Sequence, residues 1–297
     1  MRQAALALAL LAAGCGRQAP PPAPAGRYLL GEPYAMGGLW SYPREDFGLE
    51  ESGVAAVLPR GRPGQRTANG EAYDPERLVG AHRTLQLPAI LTVLNLETGR
   101  ELRIRVNDRG PTQPGRVVGL SPRAARLLGI PPDGAAQVRI RVETGPSQAL
   151  AAALPSPDRP ALAMAAAPRA AVEREALPPL PGMREASLRP ALAQAAARPA
   201  AETRPELPPD PLPEAVASRP AQPGRLVIEM GRFFRRDLAQ RQAARIPGLR
   251  PRVEPFGGGR QPQFRVVAGP FPDIPAADQA VASVLRAGLP EVRLLVE

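Results

Sequence analysis

Between Thr144 and Pro223 the chain cannot sustain a continuous helix or strand. The runs "SPDRPALAMAAAPRAAVEREALPPLPGM" (Ser156–Met183) and "ETRPELPPDPLPEAVASRPAQPG" (Glu202–Gly224) are rich in Ala and Pro, with charges of both signs mixed in. Ala favours helix. Recurrent Pro removes the N–H donors and clashes with the preceding turn, so any helix is cut into fragments. The expected state of 144–223 is a long disordered, partly extended linker whose Arg residues are solvated. Folded structure must then lie on either side of it. A chain of 297 residues with 40 Pro and few aromatics has room for two small domains and their connectors.

The basic residues are all Arg, and the formal net charge is +10. Such a chain could meet nucleic acid, anionic lipid or an acidic polymer. No zinc finger, basic zipper or aromatic-rich RNA-binding motif supports nucleic acid as a partner. One His excludes a multi-His metal site, and one Cys excludes an intramolecular disulfide. No cofactor is called for.

That Cys closes the amino-terminal segment "MRQAALALALLAAGCG". A basic start and an apolar run from Ala4 to Ala13 make a signal-peptide h-region, too short to span a bilayer. Cleavage by ordinary signal peptidase is one reading. The favoured one is a bacterial lipobox, because "LAAGC" resembles the lipoprotein signal in which Cys15 is lipidated. Residues 1–14 are then the signal peptide and 15–26 a tether. Gly16 after the Cys implies, by the same resemblance, outer-membrane sorting. A diacylglyceryl-bearing Cys carries enough chains for stable anchoring.

Residues 27–143 read as short strands with one small helix. Ile90, Leu91, Val93 and Leu94 make a short apolar strand, and Glu97–Gly99 a hairpin turn. In the return strand Leu102, Ile104 and Val106 alternate with Arg103, Arg105 and Asn107. Ser121 caps a helix that ends near Gly129, and Val138, Ile140 and Val142 share one face of a last strand. This is the pattern of a compact β-barrel. Residues 224–297 read as βαββαβ with a central hairpin, the ferredoxin-like arrangement. In the first helix of this unit Phe234, Leu238 and Ile246 are expected to be buried. Asp273 caps the second, whose apolar stripe is Ala277, Val281, Val284 and Leu285.

One strand ends in "RVNDRGP" (Arg105–Pro111), where Asp108 either caps a turn or serves as an acid at the barrel rim. With "RTANGEAYD" (Arg66–Asp74) and "GAHRTLQLP" (Gly80–Pro88), this stretch resembles, in order and spacing, the motifs of the rare lipoprotein A (RlpA) family. The lead "GEPYAMGGLWSYPREDF" is similar to that family's lead. "IEMGRFF" and "VVAGPF" resemble a SPOR domain, and a SPOR domain behind a Pro-rich linker is the RlpA layout. The resemblance implies a double-psi β-barrel followed by a ferredoxin-like glycan-binding domain. The fold expected overall is thus mainly β with an α+β module. The implied activity is that of a lytic transglycosylase, a lyase cutting peptide-stripped peptidoglycan strands at the division septum. Peptidoglycan, the membrane through its lipid anchor and other septal division proteins are the implied partners. Catalytically weak scaffolding on the same fold is the alternative.

By that resemblance Asp108 is the acid/base, with Glu71 and His82 at the other polar positions of the site. A lone His is more often a satisfied buried side chain than a catalyst; within the matched motif the two readings of His82 stand even, as do site wall and surface turn for Glu71. Thr67 and Asn69 are turn formers or ligand contacts, and Asn107 and Arg109 are structural or position substrate. In the SPOR-like unit the glycan contacts expected are Glu229, Arg232, Phe233 and Arg265, with Phe233 and Phe271 also readable as core. Two departures stand out. "AAVLP" (Ala55–Pro59) replaces the family's usual "ASWYG", and "VGLS" (Val118–Ser121) its "IDLS".

Overall fold

The structure, a computed structural model, describes residues 26–61, 63–158, 207–257 and 262–297. The signal segment, Cys15 and the middle of the expected linker lie outside them. A short antiparallel hairpin, β1 (Tyr34–Met36) and β2 (Leu39–Ser41), precedes the barrel. The barrel strands are β3 (Glu50–Val57), β4 (Val79–Ala81), β5 (Ala89–Asn95), β6 (Arg100–Asp108), β7 (Arg116–Leu120) and β8 (Ala135–Val142).

Six pairings close the ring. β3 pairs β7 in parallel, β7 pairs β4 antiparallel, and β4 pairs β6 in parallel. β6 pairs β5, β5 pairs β8 and β8 returns to β3, all antiparallel. Closing the ring pairs every barrel strand on both sides over part of its length. Its interior is filled by apolar residues of the expected strands: Leu91, Val93, Leu102, Ile104, Val138 and Ile140 are all buried. Each such side chain contributes roughly 1.5–3 kcal/mol on burial. Gly80 is required where β4 crosses β7, since a Cβ there would lie 2.7 Å from the Gly119 carbonyl oxygen.

Helix α1 (Pro122–Leu128) starts at Ser121, whose Oγ accepts from the Ala124 N–H at 3.2 Å, and stops at left-handed Gly129. The chain stays ordered past the expected boundary at Glu143. Helix α2 (Thr144–Ala153) packs Leu150 into the barrel core. After the undescribed stretch, Leu212 joins the same core, and β9 (Ala217–Ser218) pairs with Arg100 and Glu101 of β6. Pro blocks helix here without blocking an extended segment at a strand edge.

The second unit is β10 (Leu226–Phe233), α3 (Arg236–Ala244), a 3₁₀ turn (Pro247–Leu249), β11 (Arg252–Phe256), β12 (Gln263–Phe271), α4 (Ile274–Arg286) and β13 (Arg293–Val296). Its strand order, β11-β12-β10-β13, all antiparallel, is the ferredoxin-like one. Asp273 caps α4 through Oδ1 at 2.8 Å, and Ala277, Val281 and Val284 are buried as expected.

Helix α3 differs from expectation. Phe234 and Leu238 are exposed, at 66% and 39%, and Ala239 faces the core. The physical reason is the register. β10 runs on to Phe233 and the helix starts only at Arg236, so its inner face falls one residue beyond Leu238. Ile246 is buried, but after the helix has ended.

The two units touch. Leu295 of β13 pairs with Gly53 of β3, and Leu39 and Val54 pack into the second unit's core. Gly53 permits the approach: a Cβ there would lie 2.9 Å from the Leu294 carbonyl oxygen. Arg116 of β7 donates both terminal nitrogens to Asp278 of α4, at 2.6 and 2.7 Å.

Candidate active site

Asp108 is the last residue of β6 and is half-buried. Its Oδ1 accepts from the N–H groups of Ala68 (2.9 Å) and Arg109 (2.8 Å). Among the described residues no hydrogen bond engages Oδ2. Burial pushes its pKa up; the two backbone donors and the Arg109 charge oppose this and are outweighed. Arg109 opposes it weakly because its guanidinium is spent elsewhere. It donates to the carbonyls of Leu85 and Leu30, both at 2.5 Å, and does not pair with its neighbour.

The donor Ala68 sits in a tight loop. Arg66 bridges Ala72, Thr67 N–H bonds Glu71 O at 2.9 Å, and Gly70 takes φ 92, a conformation only Gly adopts freely. Thr67 and Asn69 are buried turn formers, Thr67 Oγ1 bonding Asn69 Oδ1 at 2.8 Å. Glu71 locks the loop onto β6. Its carboxylate takes Arg105 Nη2 at 2.5 Å, Asn69 Nδ2 at 2.8 Å and Asn107 Nδ2 at 2.9 Å. Burial would raise its pKa, but Arg105 and the two amides more than reverse this, and it is held below the ordinary carboxylate range. Glu71 is therefore an ionised cross-link. That explains why alternation fails at the end of β6, where Arg105 and Asn107 are buried beneath the loop as Val106 is within the barrel.

His82 follows β4, and its N–H bonds the Asp108 carbonyl at 3.0 Å, so the two residues are neighbours at the rim. The ring is buried. Nδ1 accepts from the N–H groups of Thr84 and Leu85, at 3.2 and 3.0 Å. The proton therefore resides on Nε2, 3.5 Å from Glu51 Oε1. Glu51 in turn pairs with Arg293 of the second unit. Its pKa is lowered, His82 and Arg293 outweighing the effect of burial.

Sequence reasoning missed Glu51, Tyr34 and Tyr73. Asp108 acts on both tyrosines, whose pKa values are raised, chiefly by burial, so both are neutral phenols. Tyr73 lies inside a recognisable motif; Glu51 is one strand-start acid among several, with no local signal. The departures at 58 and 119 meet in space. A Cβ on Gly119 would lie 2.5 Å from Leu58 Cδ2, so the leucine fills the volume that an aspartate there would need. Among the described residues no cluster of three His, Cys, Asp or Glu could hold a metal ion, and no helix is long and apolar enough to cross a membrane.

In the second unit, alternation along β10 sets Val227 and Glu229 on the sheet face away from the helices, with Ile228 and Met230 in the core. Glu229 is nonetheless buried and paired with Arg232 at 2.8 Å. Phe233 and Phe271 pack against the core. The aromatic ring on the open face is Phe256, with Arg232 4.2 Å and Arg265 5.7 Å from its centroid.

A closed mixed six-stranded barrel with a half-buried acid at a strand end, followed by a βαββαβ module, defines a double-psi β-barrel protein with an appended SPOR domain. A family model described as lytic transglycolase matches residues 50–140, and the SPOR domain model matches residues 222–292. Both domains are thus present in this order, and the curated proteins to which the chain is similar include RlpA proteins. The chain is 38% identical over 122 residues to the endolytic peptidoglycan transglycosylase RlpA of Vibrio cholerae, covering 38% of this chain and 46% of that protein. It is 39% identical over 120 residues to the endolytic peptidoglycan transglycosylase RlpA of Pseudomonas aeruginosa, covering 40% of this chain and 35% of that protein. A probable endolytic peptidoglycan transglycosylase RlpA of Nostoc sp. is 44% identical over 96 residues, 32% of this chain and 26% of the relative. The matched stretches thus span less than half the length of these curated relatives.

Proposed function

We propose that this chain is a lytic transglycosylase acting on peptide-stripped glycan strands in the cell envelope. The observation that carries the reading is Asp108, whose pKa is raised by burial and whose Oδ2 has no hydrogen-bond partner among the described residues. An acid must be protonated at working pH to deliver a proton to a leaving glycosidic oxygen. In the proposed step Asp108 gives its proton to the leaving GlcNAc oxygen. The muramic acid C6 hydroxyl attacks C1 and loses its own proton to the carboxylate. The result is a 1,6-anhydro ring with no water consumed and the acid restored. His82 lies beside the acid with its Nε2–H directed to Glu51, and the neutral phenols of Tyr34 and Tyr73 lie within electrostatic reach of the acid. Glu71 acts through the loop it fixes, holding the Ala68 donor on Asp108; it is a positioning residue. Thr67, Asn69, Asn107 and Arg109 support the same frame.

The test is purified protein on peptide-stripped strands, with products read by mass spectrometry. 1,6-Anhydro muramic ends are expected; hydrated reducing ends would overturn the mechanism. A binding scaffold is the second reading. Leu58 closing the space over Gly119 favours it, since one acid and an aromatic pair of the family pattern are gone. No product at all would decide for it. Location at the division septum and a lipid anchor on Cys15 at the periplasmic face of the outer membrane complete the proposal. Metabolic fatty-acid labelling should mark the wild type and not Cys15→Ala, and an unlabelled wild type would sink the anchor.

A further inference from the structure

Between the barrel and the SPOR domain lies a cleft of about 1010 Å³. That is the upper end of the roughly 300–1,000 Å³ typical of ligand sites. Its two walls belong to different domains. On the barrel side the β1–β2 hairpin presents Trp40, and Tyr42 follows; they are 60% and 62% exposed. Exposed rings of this size on a tethered loop would be unremarkable, but this hairpin is held at both sides of Trp40. Leu39 is buried in the SPOR core, and Ser41 is buried beside Arg83, which donates to Ser41 Oγ at 3.4 Å and to the Met36 carbonyl at 3.1 Å. Alternation along β2 then leaves Trp40 no direction but outward into the cleft.

The opposite wall is the open face of the SPOR sheet, with Arg232 and Arg265 around Phe256. Glu229 also lines it. It is 2% exposed, and among the described residues its Oε2 has no hydrogen-bond partner. A buried unpaired acceptor is costly unless a donor arrives. Two cations on the barrel side, Arg83 and Arg139, face no carboxylate within ion-pair distance among the described residues. At its inner end the cleft reaches His82, whose N–H bonds the Asp108 carbonyl.

We propose that this cleft is a two-walled saccharide site, in which a carboxylate-bearing glycan strand held by the SPOR face is covered by Trp40 and Tyr42 and led towards His82. Aromatic faces offer apolar area to sugar rings, Arg forks donate to carboxylate and hydroxyl oxygens, and an unpaired carboxylate oxygen accepts a hydroxyl. The saccharide identity rests on the function proposed above; the two-walled geometry does not. One consequence is that the barrel and the SPOR domain bind one strand together, so the second contact gains from the first by proximity.

Trp40 is the sole tryptophan of the chain, so its emission reports on this wall alone. The experiment titrates peptide-free strands into the full chain carrying Asp108→Asn, which slows turnover by orders of magnitude, and follows emission and co-sedimentation together. The expected result is a saturable change in Trp40 emission over the concentrations at which strands co-sediment. Trp40→Ala with Tyr42→Ala is expected to weaken co-sedimentation about tenfold, which corresponds to about 1.4 kcal/mol for the two rings. Silent Trp40 emission while strands bind, or unchanged binding by the double variant, overturns the proposal. So does a signal that an unrelated polyanion reproduces and modest salt abolishes, which is charge attraction only. A Trp40 change that grows with protein concentration without strands would assign the cleft to a second copy of the chain and overturn it equally. Strand binding through Trp40 with no anhydro product from the wild type leaves this site standing and removes the proposed activity. Anhydro product with silent Trp40 does the reverse.

Discussion

Asp108→Asn is expected to lower turnover on peptide-stripped strands by about 10²–10⁴-fold, the usual worth of a positioned general acid–base. The amide keeps the acceptor that Ala68 and Arg109 address at Oδ1, so the loop and β6 stay in place and the fold survives. What is lost is the titrating proton. The pH profile of the wild type carries the sign. The folded pKa is raised by burial, so the acid form persists to higher pH than in an ordinary aspartate. Activity that needs the acid form is therefore complete below the raised pKa and falls as pH climbs through it. The descending limb of kcat/KM should lie above the normal aspartate range, and should be absent from whatever activity Asp108→Asn retains. A descending limb that survives the substitution would assign the proton to another group. A variant as active as wild type would remove Asp108 from the chemistry.

Glu71→Ala is expected to cost the barrel about 3 kcal/mol, the lower end for breaking a buried ion pair. Removing the carboxylate leaves Arg105 charged and nearly enclosed, its side chain 10% exposed, and strands the amides of Asn69 and Asn107. The measurement is the urea midpoint of the barrel's transition. The Glu71 pKa is depressed in the fold, so its contribution is fully present above the unfolded carboxylate pKa and lost as pH falls through the folded one. The gap between wild type and Glu71→Gln should accordingly close in acid. The same substitutions should also reduce turnover through the displaced Ala68 donor. An unchanged midpoint would show that the cross-link contributes nothing. A large loss of activity at full stability would make Glu71 a direct participant rather than a residue that positions the loop.

Local patterns made the frame of the molecule legible. Alternation in Leu102–Val106 and Val138–Val142, the Ser121 cap and the Gly129 stop each depend on residues within a few positions of one another, and the structure has them as the chain reads. The motifs at 66–74, 80–88 and 105–111 likewise carried Asp108, His82 and Glu71 as a set. Their roles were not legible, because a role depends on what each side chain meets across the fold. Glu71 reads as a site acid or a surface turn residue until Arg105, 34 positions on, closes over it, and Arg109 reads as structural or substrate-positioning until distant carbonyls of the chain claim its guanidinium.

The sequence by itself determined two folded units separated by a Pro-rich stretch, the β character of the first and the βαββαβ order of the second. These follow from dihedral preferences and hydrophobic periodicity, which act over a few residues. Only the tertiary structure decided the raised pKa of Asp108, the inward turn of Ala239 in place of Leu238, the filling of Gly119's space by Leu58, and the cleft in which Trp40 faces Phe256. Burial, ion pairing and steric exclusion are properties of groups brought together by closure of the barrel and docking of Leu295 against Gly53, and nothing in the order of residues along the chain states which groups those are.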